Sequence, residues 1–372
     1  MIVFRSQLDA SRGEACPDPL TPARGVHRAS CKPPRRMPGI PWLAWLCGRR
    51  AGPGAVPGDS SMAGTLEFSA LSARSMVRWA TRLLAVCALA TLCACNAMKL
   101  GYQQGDHLAY WWIDHYVDVS DAQEPATKEA IARFFAWHRK TQLPEITAVL
   151  TKVKGEVNQP LDAAAVREMQ EASRRFARES FDYAVPDLAQ MLLTLTPEQV
   201  KRMEDKLAES NAKYRRKFMS GSDRKQEDAR FDKIMDYAKL VYGSFSDEQE
   251  RQIRAAMGPT MQGAPARYEE RLNRQREWLA LVHKVADANP KPSVAEVEAM
   301  LHSYGDHWQK PPDNRARRWE AYNEAGIALT VTIANLTTPQ QKAHAVQRFQ
   351  GWIDDTRSLA REGQRGNAQA AN

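Results

Sequence analysis

From residue 95 onward the apolar positions recur at intervals of three and four, the period of a helix with one buried stripe. Leu108, Trp111, Trp112, His115, Tyr116 and Val119 fall on one such face. Ile146, Val149, Leu150, Val153 and Val157 make a second, and Val200, Met203, Leu207 and Tyr214 a third. Met300, Leu301, Tyr304 and Trp308 continue the habit. No run of alternating β-branched residues and no Asn-Gly hairpin signal interrupts it. The pattern predicts an all-α body, a single multi-helix bundle of about ten helices joined by short loops.

Four short segments announce helix starts. SDAQ begins at Ser120, TPEQ at Thr196, SDEQ at Ser246 and TPQQ at Thr338. Each is Ser/Thr-x-x-Gln, a capping box: the hydroxyl accepts from a first-turn N–H, and the glutamine reaches back to the cap's own N–H. Pro197 and Pro339 sit at the first helical position, where a missing N–H costs nothing. Ser293 with Glu296 forms a related box. In the first copy Pro125 falls in the second turn, so that helix is expected to begin late. The spacings of 76, 50 and 92 residues fit no fixed-period solenoid. Pro144, Pro160, Gly243 and Gly258-Pro259 are expected to end helices, and Pro186 to kink a long one. Residues 362–372 read as a flexible, frayed tail.

Cysteine and charge separate this body from what precedes it. The six cysteines are Cys16, Cys31, Cys47, Cys87, Cys93 and Cys95, so a body of 278 residues beginning at Cys95 has no second cysteine for an internal disulfide. Nor has it a thiolate zinc site. Residues 1–94 hold 12 Lys+Arg against 5 Asp+Glu, while the remainder holds 40 against 39. The basic pI therefore belongs to the leader and argues against a nucleic-acid partner for the body. Residues 1–75 carry 9 of the 21 prolines and 8 of the 20 glycines, as in KPPRRMPGIP, a composition that does not bury a core.

At Met76 the pattern changes to MVRWATRLLAVCALATLCAC. Arg78 and Arg82 make a basic n-region, and Leu83 to Leu92 an apolar h-region too short to cross a bilayer. Leu92-Cys93-Ala94-Cys95 resembles the lipobox of bacterial lipoproteins, with Cys95 the residue acylated and exposed by signal peptidase II. Cys93 fits less well, because Leu92 before it is large. The expected organisation is a surplus N-terminal extension over 1–75, a signal peptide over 76–94 and a helical periplasmic body over 95–361. Two or three acyl chains would hold that body at a membrane, where one would not. Asn96, in place of Asp, implies the outer membrane by the enterobacterial sorting rule.

The segments AYWWIDHYVDVSDAQ, FFAWHRKTQLPEITAVL and LLTLTPEQ, following this box, resemble a family of proteobacterial lipoproteins classed as a domain of unknown function. The likeness covers residues 86–355 and implies a helical periplasmic body. It lends no catalytic residues. The LTPEQ box also resembles the Leu-Thr-x-x-Gln motif of Spy-like periplasmic chaperones, which are much shorter.

Candidate chemistry is sparse. Trp111, Trp112 and Tyr116, close to Cys95, read first as side chains packed into the bundle. Such amphipathic aromatics also suit a membrane interface. His115 reads as a core histidine. Trp137, His138 and Arg139 are either polar tips on a core aromatic or part of a recognition surface. Asp114 and Asp118 share a helix face, but no Glu-x-x-His di-iron pattern accompanies them. His302 and His307, five apart, point to different sides. Ser222-x-x-Lys225 matches a nucleophile signature, yet a polar helix start accounts for it better. YRRKF, residues 214–218, reads as a solvated face. No cofactor or metal is expected. The sequence thus suggests a non-enzymatic binding, scaffold or chaperone-like module with envelope proteins as partners. The alternative is an envelope enzyme acting on peptidoglycan or lipid through Asp114, Asp118 or Asp121.

Overall fold

The computed structural model describes residues 97–309, 311 and 314–370, all within one compact unit spanning Ala88–Asn372. The expected extension over 1–75, the expected signal peptide over 76–94 and Cys95 lie outside the described residues. Those described are helical, with no strand among them. In chain order the helices are α1 (Ala97–Gln103), α2 (Gly105–Val117), α3 (Glu124–Trp137), a π-helical turn π1 (His138–Gln142), α4 (Leu143–Glu156), α5 (Ala163–Leu193) and α6 (Pro197–Phe218). Then come α7 (Asp223–Tyr242), α8 (Asp247–Ala256), α9 (Gly258–Gln262), α10 (Ala264–Ala286), α11 (Val294–Gln309), α12 (Asn314–Asn335) and α13 (Pro339–Ala370).

All four glutamine boxes form, and they form in pairs. Gln123 and Gln199 face each other amide to amide: Gln199 Nε2 donates to Gln123 Oε1 at 2.7 Å and Gln123 Nε2 to Gln199 Oε1 at 3.3 Å. Each also donates to a carbonyl two residues ahead of the other's cap, Gln199 to Asp118 O and Gln123 to Thr194 O, both at 3.0 Å. Gln249 and Gln341 repeat this arrangement. Their amides exchange bonds of 2.8 and 3.1 Å, while Gln249 donates to Leu336 O and Gln341 to Ser244 O. Two helix N-termini are thereby clasped together at each site.

The likeness extends to the packing. At the first clasp α2 lies on α6 and α3 on α5; at the second α7 lies on α13 and α8 on α12. The residue before each cap turns inward. Val119 and Leu195 join the core formed by Val117, Val185, Leu192, Val200, Met203, Val282 and Leu301. Phe245 packs on the second core, formed by Phe231, Met235, Ile253, Met257, Leu329 and Ile333. Thr337, the fourth, is buried. The body thus contains one helix-junction design twice, hidden in the sequence because the two loops of chain between paired boxes differ in length.

The other start signals also hold. Ser293 and Glu296 exchange reciprocal bonds, and Ser222 accepts from Lys225 N–H as the cap of α7, so the Ser-x-x-Lys match is a helix start. In the first box Ser120 and Gln123 bond as expected, and Pro125 delays α3 to Glu124.

One stop expectation needs correction. Pro144 does not end a helix: α3, π1 and α4 run on continuously, and Leu143 N–H reaches back five residues to His138 O. The widened turn makes room for a proline ring that would otherwise clash with the preceding turn. At Gly258-Pro259 a helix ends as expected: α8 stops at Ala256, Met257 forms a turn, and the short α9 starts at Gly258. The helical backbone of α13 continues to Ala370, beyond the tail boundary at 362, and Glu362 pairs with Lys99 at 2.6 Å. Pro186 lies inside α5.

Gln199 and Gln341 are more than nine-tenths buried. Truncating either one strands the facing amide, one backbone carbonyl (Asp118 O or Ser244 O) and its own cap N–H, and a buried unpaired group costs about 1–3 kcal/mol. Gln199→Ala and Gln341→Ala are each expected to lower stability by about 2–3 kcal/mol in urea unfolding. A double-mutant cycle between Gln123 and Gln199 should return a coupling of about 1 kcal/mol, and purely additive losses would contradict the clasp.

Candidate functional site

The amino-terminal helix is docked, not dangling. Lys99 Nζ pairs with Glu362 and donates to Ser358 Oγ at 2.9 Å, and Gln103 Nε2 reaches Glu362 at 3.2 Å. Beneath them Asp355 is buried on α13, and burial raises its pKa. Gly105 lets α2 approach α3 closely, since a Cβ there would stand 2.6 Å from the Phe135 ring.

The predicted surface aromatics separate into two groups. On α2, Trp111 stacks on His115 with ring centroids 5.7 Å apart, and Trp112 lies 5.0 Å from Tyr116. Tyr116 packs on the first core with Ile113 and Val117, so the expected single face of α2 is in fact divided. Tyr116 and its neighbours turn inward, while Leu108 and Trp111 remain 39% and 38% exposed. His115 sits at the border between them, its pKa lowered by partial burial and then by Lys206.

The second group surrounds the π turn. Trp137 stacks flat on Tyr183 at 4.2 Å, and Phe134 touches both. His138 Nδ1 bonds the Tyr102 hydroxyl at 2.9 Å, and the Arg139 guanidinium lies over the Tyr102 ring. Burial pushes His138 down to about 4 and raises Tyr102. A neutral imidazole facing a neutral phenol ties α1 to the π turn. His138, Trp137 and Arg139 are all half-buried, and each makes an aromatic or hydrogen-bond contact within the body. At the same turn Gln142 is buried and donates to Glu179 at 2.9 Å.

The acids do not assemble. Asp114 Oδ1 accepts from Val119 N–H at 3.0 Å, holding the turn after α2, where Asp118 takes a left-handed φ of 58°. The Asp118 carboxylate faces Arg202 at 3.8 Å. His302 bonds Asp182 at 3.0 Å. Among the described residues no group of three or more His, Cys, Asp or Glu could hold a metal ion.

The hollow with the better chemistry was not foreseen. Between α10 and α11 lies an open groove of about 530 Å³, with Leu281, Met300 and Tyr304 along it and Glu277, Lys284, Ser303 and His307 among its polar positions. Tyr304 is anchored against Trp278, with ring centroids 5.4 Å apart, and burial pushes its hydroxyl up to about 12. Glu277 is fixed by Arg315 at 2.6 Å. The sequence marked Met300, Leu301 and Tyr304 as one apolar face. Only the open groove between α10 and α11 shows that part of this face is uncovered.

A family model described as a family of unknown function (DUF6279) matches residues 115–312, more than half of the chain. The chain belongs to the DUF6279 family. No curated protein and no solved structure matches it. The DUF6279 region takes in the first clasp entire, the groove, and one partner of the second clasp. Gln341 and α13, which complete the second clasp and hold α1, lie outside it.

His138 gives this DUF6279 chain a pH signature. Its folded pKa lies below the unfolded value, so the unfolded chain takes up a proton first and stability falls as pH drops from about 6.5 to about 4. The loss amounts to about 3 kcal/mol and should be missing from His138→Gln, as read by urea unfolding at pH 7 and pH 4.5. His283, exposed between Glu204 and Asp287 at 2.9 Å each, is raised and acts in the opposite sense; it is common to both proteins and cancels in the difference.

Proposed function

We propose that this DUF6279 chain is a lipid-anchored module of the bacterial envelope, tethered through Cys95 to the outer membrane and facing the periplasm. Its role is to bind protein partners as a scaffold or chaperone-like element. The groove between α10 and α11 carries the binding part of this reading. It is open, its floor is apolar, and charged and hydroxyl groups flank it at fixed positions. Such a surface suits an amphipathic segment whose apolar side chains meet Leu281, Met300 and Tyr304. Asp114 and Asp118, which an enzyme reading would use, are committed to a backbone N–H and to Arg202 instead.

The anchoring part rests on the Leu92-Cys93-Ala94-Cys95 box behind a basic and apolar segment. No helix among the described residues is long and apolar enough to cross a membrane. Attachment therefore falls to the acyl chains, and stable attachment takes at least two.

Two measurements test the two parts. Mass spectrometry of the protein isolated from its own cells should find Cys95 as the first residue, carrying a diacylglyceryl group. Peptides from residues 1–75 would contradict the start at Met76. A photo-crosslinking residue at Ser303 should capture a defined envelope protein that the same residue at Glu171 on α5 does not, and Met300→Asp should reduce the adduct about tenfold. Equal capture at both positions, or turnover of a cell-wall fragment without capture, would overturn the binding role.

A further inference from the structure

Four large apolar side chains stand exposed in the described structure: Leu100 at 56%, Leu108, Trp111 and Val294. Three of the four lie in α1 and α2, within 16 residues of Cys95. Gln104 stands in a turn between the two helices, with φ −96° and ψ 10°, although its N–H still donates to Leu100 O and its carbonyl accepts from Leu108 N–H. Within α2, at 100° per residue, Leu108, Trp111 and His115 fall within an arc of roughly 60°. Gly105, Ile113 and Tyr116 lie off that arc and pack inward, as Tyr102 does on α1, while Leu100 stays exposed. α1 and α2 thus bury one stripe in the body and turn a second apolar stripe outward.

Resting on the anchored reading above, we infer that this outer stripe lies in the headgroup layer of the bilayer that holds Cys95. Reach argues for it. Residues 95 and 96 can span at most about 7 Å before α1 begins, so Leu100 cannot be far from the acyl chains. Trp111 lies a further ~21 Å along the helices. Were they upright, it would stand well clear of the membrane in water, where an exposed indole gains nothing. Lying along the surface, the stripe places Leu100, Leu108 and Trp111 at the interface, with the indole at the depth that tryptophan prefers.

The border of the stripe is compatible with headgroups. Arg202, Lys206 and Lys213 of α6 lie close enough to His115 to act on its charge, as does Glu209, which pairs with Lys213 at 2.9 Å and Lys206 at 3.3 Å. Asp106 is occupied by the His107 N–H at 2.9 Å and Asp114 by Val119. Lys99 is held by Glu362, so α1 cannot rotate its leucine away without leaving α13.

The test uses the full chain as isolated from its cells, mixed with phosphatidylethanolamine–phosphatidylglycerol vesicles whose lipids carry bromine near the headgroup end of the acyl chains. Tryptophan emission is compared with that of Trp111→Phe, the difference being the Trp111 contribution. That contribution is expected to fall roughly twofold or more in brominated vesicles, and to recover in the Leu100→Asp/Leu108→Asp double variant. Both leucines are exposed, so the variant keeps its fold. The Cys95 peptide mass is read from the same sample. Acylated Cys95 with unquenched Trp111 overturns the inference and leaves the anchor standing. Unmodified Cys95 with quenched Trp111 supports the stripe and removes the anchor. Absence of both defeats both readings. Concentration-dependent self-association lost in the double variant, without quenching, assigns the stripe to a second copy instead.

Discussion

Two reciprocal glutamine pairs hold the ends of this bundle in register. A helix N-terminus leaves unpaired N–H groups and a positive end, so two such ends brought together would ordinarily repel and waste donors. The side-chain amide resolves both problems, because it offers an acceptor to its own helix's cap and two donors to the neighbouring chain. In the first clasp Gln199 Oε1 accepts from Thr196 N–H and Gln123, while its Nε2 serves Asp118 O and Gln123. Glutamate could satisfy the cap alone, as Glu296 does for Ser293, but has no donor to return. That difference explains why the boxes facing each other end in glutamine and the solitary box in glutamate.

The clasps fix where the cores can be. Each places an inward residue beside the box, and the helices that radiate from it meet in the same order at both sites. The α1–α13 contact and the π turn then close the amino-terminal side. There Tyr102 and Ile146 pack on a third core with Leu143, Leu359 and Ala360. Pro144 and His138 belong to one solution: the wide turn that accommodates the proline also rotates the imidazole onto the Tyr102 hydroxyl.

Helix content, the capping boxes and most buried faces were legible in the sequence, because period and cap chemistry act over three or four residues. Val200, Met203 and Leu301 are buried as their spacing implied. Pairing of the boxes was not legible, since it joins residues 76 and 92 positions apart through unequal stretches of chain. Pro144 misled for a local reason: the rule that proline ends a helix assumes an α-turn, and a π turn evades it. The segment 108–116 misled because two apolar stripes, one buried and one exposed, were read as a single face. A sequence shows which side chains are apolar, but not which of them found a partner.

The same logic bears on where function resides. Asp114, His138 and Ser222, which looked chemically suggestive by type, hold backbone or inter-helix geometry. The apolar surface left uncovered lies in the α10–α11 groove and on α1 and α2. On the binding reading proposed above, an apolar groove and an apolar stripe are the surfaces through which such a bundle would meet others. On the anchored reading the stripe adjoins the residue expected to carry lipid, so α1 and α2 would meet the bilayer while recognition would fall to helices further along the chain.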